Sequence, residues 1–433
     1  MNVLRYAAEF ALFLLVAAMV LIGVLTVTHG TPVRTVIAPG AAYQPPPVTD
    51  SLFTRTMDLY TGTNIGSGNR VELKLNGEES YPPLWRDLEG AKRTIIVQMY
   101  YSEPGKVADQ MRNVLSERAR AGVRVLVLLD AFGSGPLKKT GFLDSLKAAG
   151  AQVAWLRPLR WYTLNKAASR SHVRIVIVDG RIGWTGGFGL ADYWLGDGVH
   201  EKEWRDSNIR FEGPAVAALE AAFASGWAEA TGVLLTGHSY LPESAFREVG
   251  PTVAGLMYTV PAVGSTPASR FLAMSITAAK KTLYITNSYF VPDQEFRNML
   301  KLASARGVDV RVITAGDKSD VKTTVYAGRA HYEELIKSGI RIYEYTPTMM
   351  HAKSLVVDGT WSSVGSMNFD NRSMAFNNES NMNVLDAGFG AQMDSVFAAD
   401  ITYSKEIKLP QFEQRPWTEK LMEWGADKLS SVL

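Results

Sequence analysis

The chain has 433 residues, 46% of them hydrophobic and 20% charged, enough for about two domains with substantial cores. Its 45 basic and 43 acidic side chains leave a net charge of +2, too small for bulk nucleic-acid binding, and no nucleic-acid partner is expected. With no Cys, disulfides are excluded and cysteine usage is silent about export.

Taken from the N-terminus, Phe10 to Thr28 runs without a charge and is long enough to span a bilayer. Residues 1–28 read as a single-pass membrane anchor rather than a cleaved signal peptide. Arg5 before the span and Arg34 after it nearly balance, which leaves the orientation open. Residues 29–67 read as a Pro/Gly-rich tether and lead-in, in which His29 to Asp50, with Pro45-Pro46-Pro47, is a stiff tether without packed structure and Gly66-Ser-Gly68 a plain turn.

The body repeats itself. Ala91-Lys-Arg-Thr-Ile-Ile-Val97 is echoed by Ala279-Lys-Lys-Thr-Leu-Tyr-Ile285, Arg120-Ala-Gly-Val-Arg-Val-Leu126 by Arg306-Gly-Val-Asp-Val-Arg-Val312, and Ala149-Gly-Ala-Gln-Val153 by Ser338-Gly-Ile-Arg-Ile342. Strand-like runs alternate with helical ones, such as Lys106 to Ala121 and Gln294 to Ala305, so an α/β lobe built twice is expected, over 68–245 and 246–410. Between the first echoes and the first motif, Arg157, Arg160, Lys166, Arg170 and Arg174 stand without an acid among Trp155, Trp161 and Tyr162, a composition suited to an anionic headgroup layer.

Two motifs carry the chemistry. His172-Val-Arg174 leads through a Val/Ile run to Asp179, then to Gly186-Gly187-Phe-Gly189, and His351-Ala-Lys353 leads to Asp358, then to Gly365-Ser366-Met-Asn368. Each run reads as a buried strand, on which residues two apart share a face, so His172 sides with Arg174 and His351 with Lys353. Asp179 and Asp358, seven residues on, fall off that face and read as supports. A second short strand, Ile182 to Thr185 or Trp361 to Val364, carries Ser366 and Asn368 back towards the His/Lys pair. Together these groups make a basic phosphate pocket. Phosphodiester exchange needs charge neutralisation, a nucleophile and an acid. Two imidazoles and two cations supply all three, so neither metal nor cofactor is expected. His29, His200, His238 and His331 show no metal-ligand spacing. The C-terminal segment 411–433 looks amphipathic from Trp417 onwards, and suits either packing on the body or lying at an interface.

The doubled H-x-K-x4-D-x6-G-S-x-N pattern resembles the phospholipase D superfamily. The flanks Asp179 to Phe188, Glu203-Trp-Arg-Asp206, Gly365 to Ser373 and Asn378-Glu379 resemble bacterial cardiolipin synthases over about Gly68 to Pro410. The resemblance implies two phospholipase D-like lobes, each a mixed sheet flanked by helices, related by a pseudo-twofold axis with the site between them. It implies a bacterial inner-membrane enzyme that joins two phosphatidylglycerols into cardiolipin and glycerol through a phospho-histidine, with anionic phospholipid as substrate. It casts His172 as nucleophile and His351 as general acid and base. Lys353 and Arg174 neutralise the phosphoryl oxygens, Ser366 and Asn368 donate to them, and a carboxylate in each half, Asp206 and Glu379, orients an imidazole and favours its protonated form. Arg174 and Gly189 depart from the family's Lys and Asn. That leaves open a hydrolase, a transferase to another alcohol, or a non-catalytic lipid-binding relative, with a nuclease as the reading from another class. Oligomeric state is not legible.

Overall fold

In the computed structural model the described residues are 5–6, 9–17, 19–20, 31–36, 45–159, 168–262 and 264–430. Their fifteen strands form one continuous mixed sheet. The first half holds β1 (Gly66–Leu75), β2 (Thr94–Met99), β3 (Arg124–Asp130), β4 (Gln152–Leu156), β5 (Ile175–Val178), β6 (Ile182–Gly186) and β7 (Ser207–Glu212). The second holds β8 (Thr252–Thr259), β9 (Thr282–Asn287), β10 (Asp309–Thr314), β11 (Arg341–Tyr345), β12 (Lys353–Val357), β13 (Trp361–Gly365) and β14 (Glu379–Leu385), with β15 (Ser404–Glu406) added at the edge. Read outward from the centre, β1-β7-β6-β5-β2-β3-β4 is matched strand for strand by β8-β14-β13-β12-β9-β10-β11. In both halves the outer three strands run parallel and the inner ones antiparallel.

The parallel strands are the apolar echoes seen in the sequence. Every residue of β2 is buried, as expected of a strand covered on both faces, and the helices Lys106–Arg120 and Gln294–Ala305 make the crossovers. The hairpins β5–β6 and β12–β13 turn at Asp179-Gly180 and Asp358-Gly359, all four with positive φ, the conformation that favours Asp-Gly in tight hairpin turns. The halves meet where β1 pairs with β8 across a bulge between Gly66 and Asn69. Thus Gly66-Ser-Gly68 is part of a strand join and not a plain turn. Beyond it β6 and β7 pack against β13 and β14, and Ile209 and Phe211 share a core with Val364, Met382 and Val384.

Of two expectations for the N-terminal region, one falls partly outside the described residues and one needs correction. Among the described residues no helix is long and apolar enough to cross a membrane. Residues 5–6, 9–17 and 19–20 are helical, while 1–4, 7–8, 18 and 21–28 of the expected single-pass anchor lie outside the described residues. Nor is the described part of 29–67 a free tether. Val33 and Val36 pack on the second half's core, Val48 is fully buried, and helix Ser51–Thr61 inserts Phe53 and Met57 there. Apolar side chains scattered between the prolines give this stretch a surface to bury, which its composition concealed.

Candidate active site

His172 and Arg174 enter β5, and His351 and Lys353 enter β12, at the end of the sheet where β2 and β9 finish. Each histidine is tied by its main chain to the other half. The His172 N–H donates to the Asn378 carbonyl at 2.9 Å, and the His351 N–H to the Arg205 carbonyl at 2.7 Å. The neighbouring residues on those opposing segments are Glu379 and Asp206.

The carboxylates therefore cross over. His172 Nδ1 lies 2.9 Å from Glu379 Oε2 and 3.1 Å from Oε1, and His351 Nδ1 lies 2.7 Å from Asp206 Oδ2. Each carboxylate thus holds the imidazole of the opposite half, a pairing that the sequence left open. The other ring nitrogen of each histidine is left for a cavity of about 260 Å³, lined also by Tyr100, Tyr101, Arg174, Trp194, Trp204 and Tyr289. A larger cavity of about 520 Å³ lies elsewhere, around Arg329, Glu344 and Lys408, and touches neither histidine.

Burial, followed by the neighbouring cations, sets the protonation states. Both histidines are buried. Desolvation, then Arg174, pulls His172 down to about 4, and desolvation, then Lys353, pulls His351 down to about 3, in each case against the upward pull of its carboxylate. Each carboxylate does favour the imidazolium, as expected, but losing water and facing a neighbouring cation cost the charged ring more than one carboxylate returns. Lys353 is lowered to about 7, again mainly by burial. For Asp206 burial works upward, but His351, Lys353 and the Trp194 N–H outweigh it and hold the carboxyl below its usual range.

The two cations are anchored alike. Lys353 Nζ donates to Ser288 Oγ at 2.7 Å and to the His351 carbonyl, and Arg174 Nη1 donates to the His172 carbonyl at 2.5 Å and its Nε to the Phe188 carbonyl at 3.3 Å. The guanidinium thus takes the same main-chain acceptor as the ammonium. At the position corresponding to Ser288 the first half has Tyr100, whose ring centroid lies 5.7 Å from the Arg174 guanidinium.

Gly187 and the departure at Gly189 also have a structural partner, which sequence reasoning missed. A Cβ on Gly187 would sit 2.2 Å from Asp206 Oδ1, and one on Gly189 would sit 2.8 Å from the Trp194 ring. The Trp194 indole N–H donates to Asp206 Oδ2 at 2.7 Å. In the second half Ser366 Oγ fills the same office, donating to Glu379 Oε2 at 2.5 Å, with Ser373 Oγ 2.7 Å from Oε1. Ser366 is therefore fully buried and occupied by the carboxylate, which corrects its expected role as a donor to substrate. Asn368 does line the cavity, and its buried Oδ1 has no hydrogen-bond partner. Trp194 and Trp204 flank the His351 ring, edge-on at 5.2 Å and stacked at 4.9 Å. Asp370, pushed up to about 6 by burial, lines the cavity as well.

Asp179 and Asp358 stand at the opposite end of the sheet. Each accepts three main-chain N–H groups, from Lys92, Arg93 and Thr94 in one half and Lys280, Lys281 and Thr282 in the other. They are supports, locking the starts of β2 and β9, and take no place among the groups that line the cavity. Of the basic cluster, Arg160, Trp161, Tyr162 and Lys166 lie outside the described residues, Arg157 pairs with Glu229 at 2.9 Å, and Arg170 lies 3.6 Å from Asp130. One grouping that spacing did not suggest is Asp197, His200 and Glu203, whose ligand-type atoms lie within 4.8 Å of one another; His200 is largely exposed there and already bonded to Asp197.

The family model described as cardiolipin synthase, PLD-like domain, matches residues 84–227 and 272–401. A cardiolipin synthase of Geobacillus kaustophilus (strain HTA426) is 33% identical over 370 residues, covering 85% of this chain and 73% of that protein. Cardiolipin synthase A of Pseudomonas syringae pv. syringae (strain B728a) is 32% identical over 361 residues, covering 83% and 73%. In fold, the crystal structure of phosphatidylserine synthase from Haemophilus influenzae Rd KW20 superposes with a TM-score of 0.66 at 15% identity, covering 88% of this chain and all of that one.

Proposed function

Because the chain belongs to the cardiolipin synthase family of the phospholipase D superfamily and is an enzyme of that superfamily, we propose that it transfers a phosphatidyl group between two phosphatidylglycerol molecules, giving cardiolipin and glycerol. The observation that carries this reading is the crossed pair of imidazoles, each held at Nδ1 by a carboxylate of the other half and flanked by a buried cation.

His172, held neutral by burial, attacks phosphorus through Nε2, and the bond from phosphorus to the glycerol oxygen breaks. The negative phosphodiester, once bound, offsets the two cations and raises the His351 imidazole, which gives its proton to the leaving oxygen. The glycerol hydroxyl of a second phosphatidylglycerol then loses its proton to His351 and attacks phosphorus, breaking the bond to His172. Arg174, Lys353 and the Asn368 amide stabilise the phosphoryl oxygens in both steps. The ring wall of Tyr100, Tyr101, Trp194, Trp204 and Tyr289 supports transfer over hydrolysis, since water must be kept from the covalent intermediate.

Mass spectrometry of lipids after incubation of the detergent-solubilised protein with phosphatidylglycerol, beside His172→Ala and His351→Ala, tests the reading. Cardiolipin with free glycerol, absent from both variants, is the expected result. Phosphatidic acid alone would make the protein a hydrolase, and no product would leave a lipid-binding relative.

A further inference from the structure

Helix Trp417–Asp427 carries its charges unevenly. Its acids turn towards the body: Glu423 is buried against Arg415 at 2.7 Å, Asp427 meets His331 at 2.8 Å, and Glu419 is half-buried. Ala426 fixes the inner face, packing on Val291 and Ala327. On the outer face Trp417, Leu421 and Trp424, spaced i, i+4, i+7, are 73%, 54% and 61% exposed, with Lys420 and Lys428 exposed beside them. An outward stripe of Trp and Leu edged by lysines, with the acids withdrawn, matches the headgroup layer of an anionic bilayer.

The helix also stands at the cavity. It packs on helix Lys322–Arg329, whose Thr324 lines the cavity together with Val321 just before it. Asn371, between the cavity residues Asp370 and Arg372, donates to the Ser430 carbonyl at 2.9 Å just past the helix. We infer that this helix is a docking element that lies on an anionic phospholipid surface and sets the cavity mouth against the lipid headgroups. The partner is the bilayer itself. The inference deepens the proposed function by placing the site on its lipid substrate, and rests on that reading for its purpose but not for its test.

The absence of native Cys allows one label per molecule. Full-length protein carrying Leu421→Cys is labelled with an environment-sensitive fluorophore and reconstituted with vesicles of equimolar phosphatidylglycerol and phosphatidylcholine. Leu302→Cys is the control, 60% exposed near the end of helix Gln294–Ala305 that points away from the cavity. A blue shift at 421, quenched by spin-labelled lipid and absent at 302, is expected with anionic vesicles and is weaker with phosphatidylcholine alone. Lys420→Gln with Lys428→Gln lowers the docking equilibrium about fivefold per lysine, and raises the apparent KM for vesicle-borne phosphatidylglycerol while leaving kcat in detergent micelles unchanged. A label at 421 that stays in water on anionic vesicles overturns the inference. So does a lipid-independent blue shift, which would mean that a second copy or another part of the chain covers the stripe. The fluorescence needs no turnover, so failure of docking and failure of the proposed chemistry are read separately.

Discussion

Trp194 shows how one side chain compensates for two glycines. Its N–H stands in for a serine hydroxyl on the catalytic carboxylate, and Gly189 leaves room for its ring. Trp194→Phe keeps the ring and removes the donor, and a hydrogen bond to a charged group is worth about 1.5–3 kcal/mol. We expect kcat/KM to fall roughly 10- to 100-fold by that amount, with CD and thermal midpoint little changed. The protonation states give a second residue-scale expectation. Phosphoryl binding needs charged Lys353, so binding of the phosphodiester, read as 1/KM, weakens as pH rises through about 7. Lys353→Arg moves the alkaline limb up, because a guanidinium keeps its proton, and a pH–rate profile with an unmoved limb would count against that assignment. The sequence showed both imidazoles and both cations, since strand periodicity puts residues two apart on one face. It did not show Trp194, because nothing in a G-G-x-G spacing announces which ring fills the space the glycines leave.

At the level of elements, the hairpins β5–β6 and β12–β13 were legible for a physical reason: an apolar run, Asp-Gly with positive φ, and a second short strand leave little conformational choice. The crossed carboxylates were not legible, since local spacing fixes which face a side chain takes but not which distant segment meets it. Gly189→Ala tests the seating of Trp194 in its loop. Alone it should cost at least tenfold in kcat/KM, and in a Trp194→Phe background less than that, a non-additivity that a double-mutant cycle measures. Helix Ala215–Thr231 offers a stability test. Glu220 there is buried with neither carboxylate oxygen hydrogen-bonded, and burial raises it to about 8. The folded state thus holds a proton that the unfolded chain releases above about pH 4.5. The carboxyl's burden on stability grows from there up to about pH 8 and is constant beyond. Glu220→Gln should therefore raise the free energy of unfolding increasingly over that window, by about a few kcal/mol at most, with the thermal midpoint rising in step, and hardly at all at pH 4.

Across the whole molecule the repeat was visible as three sequence echoes, yet its closure into one sheet was not, because the β1–β8 join is a bulged pairing without a strong apolar signature. With that join and the core shared by β7, β13 and β14, the halves should unfold together. Calorimetric and van't Hoff enthalpies that agree are expected, and two resolved transitions would contradict it. The crossed pairing has a consequence for how such a chain can change over generations. A substitution in the first half near Asp206 is felt by the histidine of the second, so neither copy of the repeat is free to drift as a spare. Gly187, Gly189 and Trp194 surround the second half's histidine, whose own motif is intact, so a change at any of them acts through a partner encoded some 150 residues away.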